Sequence, residues 1–306
     1  MADHGATTAV RVESGDAVLL RWLRTGGGTG RVHSVFARVV NVLSPQDVLI
    51  ALAVRGSGDA PRTLTADVAD WAGRGIAAGQ PVAFAPGGVT LGVPGRPLRL
   101  TAEGARCWYT IRPSLAGLPP GARAAAAAEL DRLNHAHGPR GGMLAAAPGA
   151  GPMAAAVVRA LHAGRAALTA GILARDSAAT RRGVLALLGL GPGLTPAGDD
   201  FLTGLVLVAA LPGSALAGLV PVVRDAVDTH PERTTDVALA TLREAADGRA
   251  RAELLDLLRL LERAADPLDL HAPVRAVLAI GHTSGSDTLS GLAAGLHLEE
   301  ELRGPL

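Results

Sequence analysis

The hydrophobic pattern changes period near residue 113, and that change divides the chain into two kinds of fold. Before it, short runs rich in Val and Leu alternate with Gly/Pro turns. Strands are expected at Ala17–Arg24, Arg31–Leu43, Asp47–Val54, Pro81–Ala85, Val89–Val93, Leu98–Ala102 and Arg106–Ile111. Regularly spaced short strands predict a small β-sandwich or barrel. The glycine cluster Thr25-Gly26-Gly27-Gly28-Thr29-Gly30 lies between two of them and reads as a hairpin turn, since no helix pattern follows it. After the change the pattern is helical, with expected helices at 121–137, 153–170, 178–188, 196–211, 214–228, 232–247, 250–265, 272–280 and 286–300. The reading is an α+β chain. It has a β-rich domain over 1–112, an Ala/Gly/Pro-rich connector with one helix over 113–152, and a mainly helical domain over 153–306.

Composition excludes several chemistries. All 29 cationic side chains are Arg, and no Lys is present. Schiff-base catalysis and the P-loop lysine are therefore ruled out. The net charge is +1. Residues 1–150 hold 15 Arg against 10 acids, and residues 151–306 hold 14 against 18. A mildly acidic C-terminal half is the wrong sign for a nucleic-acid backbone. The single cysteine, Cys107, fits a reducing cytoplasm and reads as a buried core thiol. Met1–Asp16 carries scattered charges and no apolar core of a signal peptide. From Phe201 to Val223 there are 23 uncharged residues, but Pro212-Gly213-Ser214 interrupts them, so two buried helices are expected rather than a membrane span.

Two motifs carry the chemistry. The first is Gly189-Leu190-Gly191-Pro192-Gly193-Leu194-Thr195-Pro196-Ala197-Gly198-Asp199-Asp200. Thr195-Pro196 reads as N-cap and first helical residue, which puts both aspartates near the first turn. The second is Gly281-His282-Thr283-Ser284-Gly285-Ser286-Asp287. Beyond it the sequence echoes the first copy, Asp200-Phe201-Leu202-Thr203-Gly204-Leu205 matching Asp287-Thr288-Leu289-Ser290-Gly291-Leu292. In each copy a glycine follows the aspartate by four residues, on the same helix face, where it can admit a close neighbour.

Two helix N-termini facing each other across one site follow from this echo. Gly191, Gly193, Thr195, Gly198, Thr283, Ser284, Gly285 and Ser286 would hold substrate there, with an anion on the helix ends. Asp199, Asp200 and Asp287 would act in catalysis, together with His282, which sits inside the second motif and reads either as an acid or base or as a structural helix-flanking residue. The three carboxylates would repel a bare anion. Either Mg²⁺ bridges them, or the ligand also presents N–H donors. Arg233 and Thr234, in Thr229-His230-Pro231-Glu232-Arg233-Thr234-Thr235-Asp236, are further candidates for holding phosphate or carboxylate, and equally good helix-start residues. His135 and His137 are two apart and share no helix face, so zinc is not expected there.

At these residues the chain resembles a bacterial family that includes the AllH-type subunit of oxamate carbamoyltransferase. The resemblance rests on 189–200 and 281–287, and more loosely on Arg233-Thr234-Thr235. It implies a place in allantoin degradation, an enzyme interconverting oxalurate plus phosphate with oxamate plus carbamoyl phosphate, and two partner subunits. Carbamoyl transfer needs positioning and charge stabilisation rather than a covalent nucleophile, so the lack of Lys is no obstacle. The alternatives are a non-catalytic ligand-binding or scaffolding subunit, and a Mg²⁺-dependent hydrolase or phosphotransfer enzyme using Asp199, Asp200 and Asp287.

Overall fold

The computed structural model describes residues 7–263 and 267–304. The chain divides into two compact units, one ending at Thr110 and the other beginning at Ile111. Most of the expected strand runs become strands in the first unit, but not all of them. The elements are β1 (Thr8–Asp16), α1 (Ala17–Trp22), β2 (Gly28–Val35), β3 (Val39–Leu43), β4 (Leu49–Val54), β5 (Thr63–Ala66), β6 (Pro81–Ala85), β7 (Gly88–Leu91), β8 (Leu98–Thr101) and β9 (Arg106–Trp108). Their order is β5-β4-β3-β2-β6-β7-β8-β1-β9, and β5 also pairs with β1. That last pairing closes eight strands into a barrel, which removes the edges an open sheet would expose. It decides between sandwich and barrel. Along β6 the inward side chains are Val82 and Phe84, while Pro81 and Ala83 face out. Val40, Leu52, Leu64, Val89, Leu91 and Leu100 fill the interior, with Phe84 and Trp71 as its aromatic members.

Three sequence readings of this unit are corrected. Ala17–Arg24 is not a strand: Ala17–Trp22 is helical, and the Asp16 carboxylate caps it by accepting from the Val18 N–H at 3.2 Å. Ala17, Leu19 and Leu23 are buried and Val18 is exposed, a helical spacing hidden inside a run of apolar residues. The Arg31–Leu43 run is two strands, broken at Phe36–Arg38. Cys107 is exposed, because β9 pairs on one side only and its thiol points outward. Thr8–Asp16 and Thr63–Ala66, neither expected as strands, supply the two that close the barrel. Met1–Ala6, part of the N-terminal segment read above, lie outside the described residues.

The second unit is helical: α2 (Ala122–His137), α3 (Pro152–Leu173), α4 (Ser177–Leu187), α5 (Ala197–Ala209), α6 (Leu219–Thr229), α7 (Asp236–Ala246), α8 (Ala252–Glu262), α9 (His271–Leu278) and α10 (Ser284–Arg303). Residues 215–218 form turns, so α6 starts later than expected, and Pro231–Arg233 is a 3₁₀ turn ahead of α7. The last residues of the helix expected over 250–265 fall at 264–265, outside the described residues. Every residue of α5 is buried, as is α10 from Gly285 to Leu296. Helices buried on all sides belong inside a bundle, and these two form its centre, with α2 and α7 packed on them. Among the described residues no helix is long and apolar enough to cross a membrane.

Candidate functional site

The two motif helices cross through their glycines. A methyl group on Gly204 would overlap the Thr288 carbonyl, and one on Gly291 would overlap the Phe201 carbonyl. Phe201 and Thr288 are equivalent in the repeated pattern, so the crossing has a local two-fold character. The repeat extends backward. Gly198 lies against the Leu187 carbonyl at the end of α4, and Gly285 against the Val277 carbonyl near the end of α9. The Gly198 N–H donates to Leu190 O at 2.9 Å and the Gly285 N–H to Ile280 O at 3.0 Å. Asp200 and Asp287 then occupy the same position, the fourth residue of each helix.

At the helix ends the two loops meet, Thr195 Oγ1 lying 2.9 Å from Ser284 Oγ. Thr195 was expected to cap α5. Pro196 takes the cap position instead, and no side chain caps the helix. Gly191 has φ +127, and a Cβ there would lie 2.7 Å from the Ala197 nitrogen, so the turn needs glycine. Gly193 stands at the exposed tip with open space around it.

The three aspartates differ in their partners. Asp199 gives both oxygens to the chain: Oδ1 accepts from the Gly189 N–H at 2.8 Å, and Oδ2 from the Thr234 hydroxyl. Burial raises its pKa, and those two donors oppose the rise. It is a clamp between the glycine loop, the start of α7 and α5. Asp287 accepts from the Met143 N–H at 2.6 Å through Oδ1, while Oδ2 is buried without a partner. Burial pushes its carboxyl up to about 6, held back by the Met143 N–H and the Thr283 hydroxyl. Asp200 also keeps Oδ2 buried and unpartnered. Burial pushes its carboxyl up to about 8, opposed by the Ser284 and Thr195 hydroxyls and reinforced by the charges of Asp287 and Asp199.

A third segment belongs to this site and carries no motif that sequence reasoning singled out. Gly138-Pro139-Arg140-Gly141-Gly142 read only as the end of a helix. It lies along the second motif instead, and a Cβ on Gly141 would stand 3.8 Å from the Thr283 side chain. Gly142, at φ +54, fits where any Cβ would strike the Asp287 carboxylate. Asn134 was also missed. It is fully buried, donates to Ser286 O at 2.9 Å and to Ser290 Oγ at 3.0 Å, and accepts from Ser286 Oγ at 2.8 Å. A lone Asn in an alanine-rich helix was the available signal.

The structure thus brings together Asp200, Asp287, Thr195, Thr283 and Ser284. The Ser286 hydroxyl is engaged by Asn134. Arg233 is exposed and donates to the Leu185 carbonyl at 3.0 Å, where it caps the last turn of α4. Thr235, beside it, caps α7 and anchors the glycine loop through Leu194 O. His282 is exposed on its loop. Among the described residues no group of three or more His, Cys, Asp or Glu is arranged to hold a metal ion.

Two family models match the chain. One, described as oxamate carbamoyltransferase subunit AllH, matches residues 187–296, which include both motifs. The other, described as the AllH family N-terminal domain, matches residues 9–107, the barrel. No solved structure matches the chain.

Proposed function

The chain belongs to the AllH family of oxamate carbamoyltransferase subunits, and from that premise we propose that it holds a carbamoyl-bearing anion where the two motif loops meet. The reaction is the interconversion of oxalurate plus phosphate with oxamate plus carbamoyl phosphate, carried out together with partner subunits in the cytoplasm. One observation supports this placement above the others. The Thr195–Ser284 contact joins two glycine-rich loops over two buried carboxyls that each keep an unpartnered oxygen.

Each group then has a part. The loop glycines let backbone approach the ligand, and the Thr195 and Ser284 hydroxyls can turn toward it. Arg233 keeps donors beyond the one on Leu185 for phosphate or carboxylate. Asp199 positions the loop, and His282 at the surface can carry protons. With both Asp199 oxygens engaged, a Mg²⁺ ion would rest on Asp200 and Asp287 alone, so the reading invokes no metal.

A second reading, a ligand-binding or scaffolding subunit without its own chemistry, draws on the complete burial of α5. A site closed in the free chain would open only on assembly. The test is reconstitution with the partner subunits and an assay of phosphate-dependent oxalurate cleavage, with and without Mg²⁺. Loss of turnover in Asp200→Asn and Asp287→Asn complexes of unchanged stoichiometry supports the catalytic reading. Full turnover in both leaves the scaffold reading.

A further inference from the structure

Oxamate, oxalurate and carbamoyl phosphate differ in size and charge but share a terminal H₂N–C=O group. Its edge presents an N–H donor beside a carbonyl acceptor. The site offers a matching pair. Asp200 and Asp287 stand at equivalent positions of two crossing helices, are 5% and 0% exposed, and each keep Oδ2 buried without a hydrogen-bond partner. Buried polar atoms are almost always paired, so two orphans at one junction of glycine loops call for a ligand.

Their settings make the two carboxyls unequal. Asp287 receives the Met143 N–H at 2.6 Å, which favours its ionised, accepting form. Asp200 has no such backbone donor; burial first, then the charges of Asp287 and Asp199, favour its neutral, proton-bearing form against the Ser284 and Thr195 hydroxyls. Burial raises both carboxyls, Asp200 to about 8 and Asp287 to about 6, so near neutrality one donates while the other accepts. Arg165 on α3 sets its guanidinium 5.8 Å from the centre of the Phe201 ring.

We propose that Asp200 and Asp287 form a seat for a primary-amide edge, Asp287 Oδ2 accepting the ligand N–H while the Asp200 carboxyl donates to the ligand carbonyl oxygen. This rests on the carbamoyl site proposed above and specifies how it recognises its ligand. A donor on the carbonyl oxygen also stabilises the negative charge that builds there during carbamoyl transfer. The ligand reaches the seat by parting the Thr195 and Ser284 hydroxyls, beside an exposed loop whose Gly193 faces open space.

The test compares oxamate with oxalate, in which a carboxylate replaces the amide, by calorimetry at pH 7. It uses the full chain alone and the chain assembled with its partner subunits. The seat binds oxamate at least about tenfold more tightly, the worth of one good hydrogen bond to a charged group. In Asp287→Asn the Met143 N–H fixes the new amide oxygen, its NH₂ faces the ligand N–H, and the preference is lost. Asp200→Leu keeps apolar volume but removes the donor, and weakens oxamate by about tenfold. Equal binding of oxalate, an unchanged preference in Asp287→Asn, or no binding in either form overturns the seat. An amide preference in a complex without turnover overturns the carbamoyltransferase reading and leaves the seat standing.

Discussion

Thr195 Oγ1 and Ser284 Oγ lie 2.9 Å apart although 89 residues separate them in the chain. Each sits at the start of a central helix, so this contact fixes how the two loops meet. Both hydroxyls also act on the buried Asp200 carboxyl. The expected outcome of a double-mutant cycle with Thr195→Val and Ser284→Ala is a coupling of about 1 kcal/mol in urea unfolding. Strict additivity would show that the hydroxyls do not interact in solution.

The glycine crossing predicts a steep packing response. Gly204→Ala and Gly291→Ala each place a methyl against a carbonyl oxygen of the facing helix. Overpacking against backbone is costly, and each variant should lose about 3 kcal/mol. Gly218→Ala is the control, since its φ is −63 and nothing lies within 4 Å of the added carbon. Its unfolding midpoint should hardly move. A small effect at both crossing glycines would mean that the helices stand further apart.

The two neighbouring aspartates should respond in opposite ways. Asp199→Ala leaves the Gly189 N–H and the Thr234 hydroxyl without their acceptor, and should cost about 2–3 kcal/mol. Asp200→Asn removes a buried acid with an unpartnered oxygen, and should stabilise the free chain at pH 8. Thermal midpoints of the two variants check both.

The pH dependence has a definite sign. An aspartate ionises near 3.8 in the unfolded chain, whereas the folded values are about 6 for Asp287 and about 8 for Asp200. Between these limits the folded state keeps protons that the unfolded state has released, so raising the pH favours unfolding. The contribution of these groups is full below about pH 4 and declines to about pH 8, where it levels off. Between pH 6 and 8 the decline belongs to Asp200, so the stability gap between Asp200→Asn and the parent should widen with pH there. A gap that stays constant over this range would refute the assignment.

Cys107 offers a test of the barrel edge. Its thiol is exposed on β9, which pairs only with β1. An aromatic disulfide reagent should titrate one thiol in the folded protein, at a rate within about tenfold of the unfolded chain. Slow reaction that speeds up only on unfolding would mean that the edge is covered.

Much of this molecule can be read from local pattern. The Asp-x-Leu-[Thr/Ser]-Gly-Leu echo foretold both the close crossing and the equivalent aspartates, because helical periodicity places residues four apart on one face. Pro81–Ala85 appears as a strand with its expected bounds, since alternation survives in a barrel wall. Ala17–Trp22 was misread because four apolar residues in a row satisfy both periods, and the Asp16 cap went unused. Asn134 and Gly142 were missed for another reason. Their importance lies in what they touch, Ser286 and Asp287, 152 residues away in the first case.

Sequence alone determined the order of a β unit and a helical unit, the helix bounds to within a few residues, and which two motifs converge. Those follow from propensity and periodicity, which act over a few residues. Tertiary structure decided the closure of the barrel through β1 and β5, and the separation of roles among three aspartates. Asp199 is a clamp because Gly189 and Thr234 reach it, and Asp287 is half-engaged because Met143 does. Asp200 is left with an orphan oxygen because no backbone donor comes near. Burial, and the donors that distant segments bring against it, set the charge of such a carboxyl, and only the packed chain fixes both.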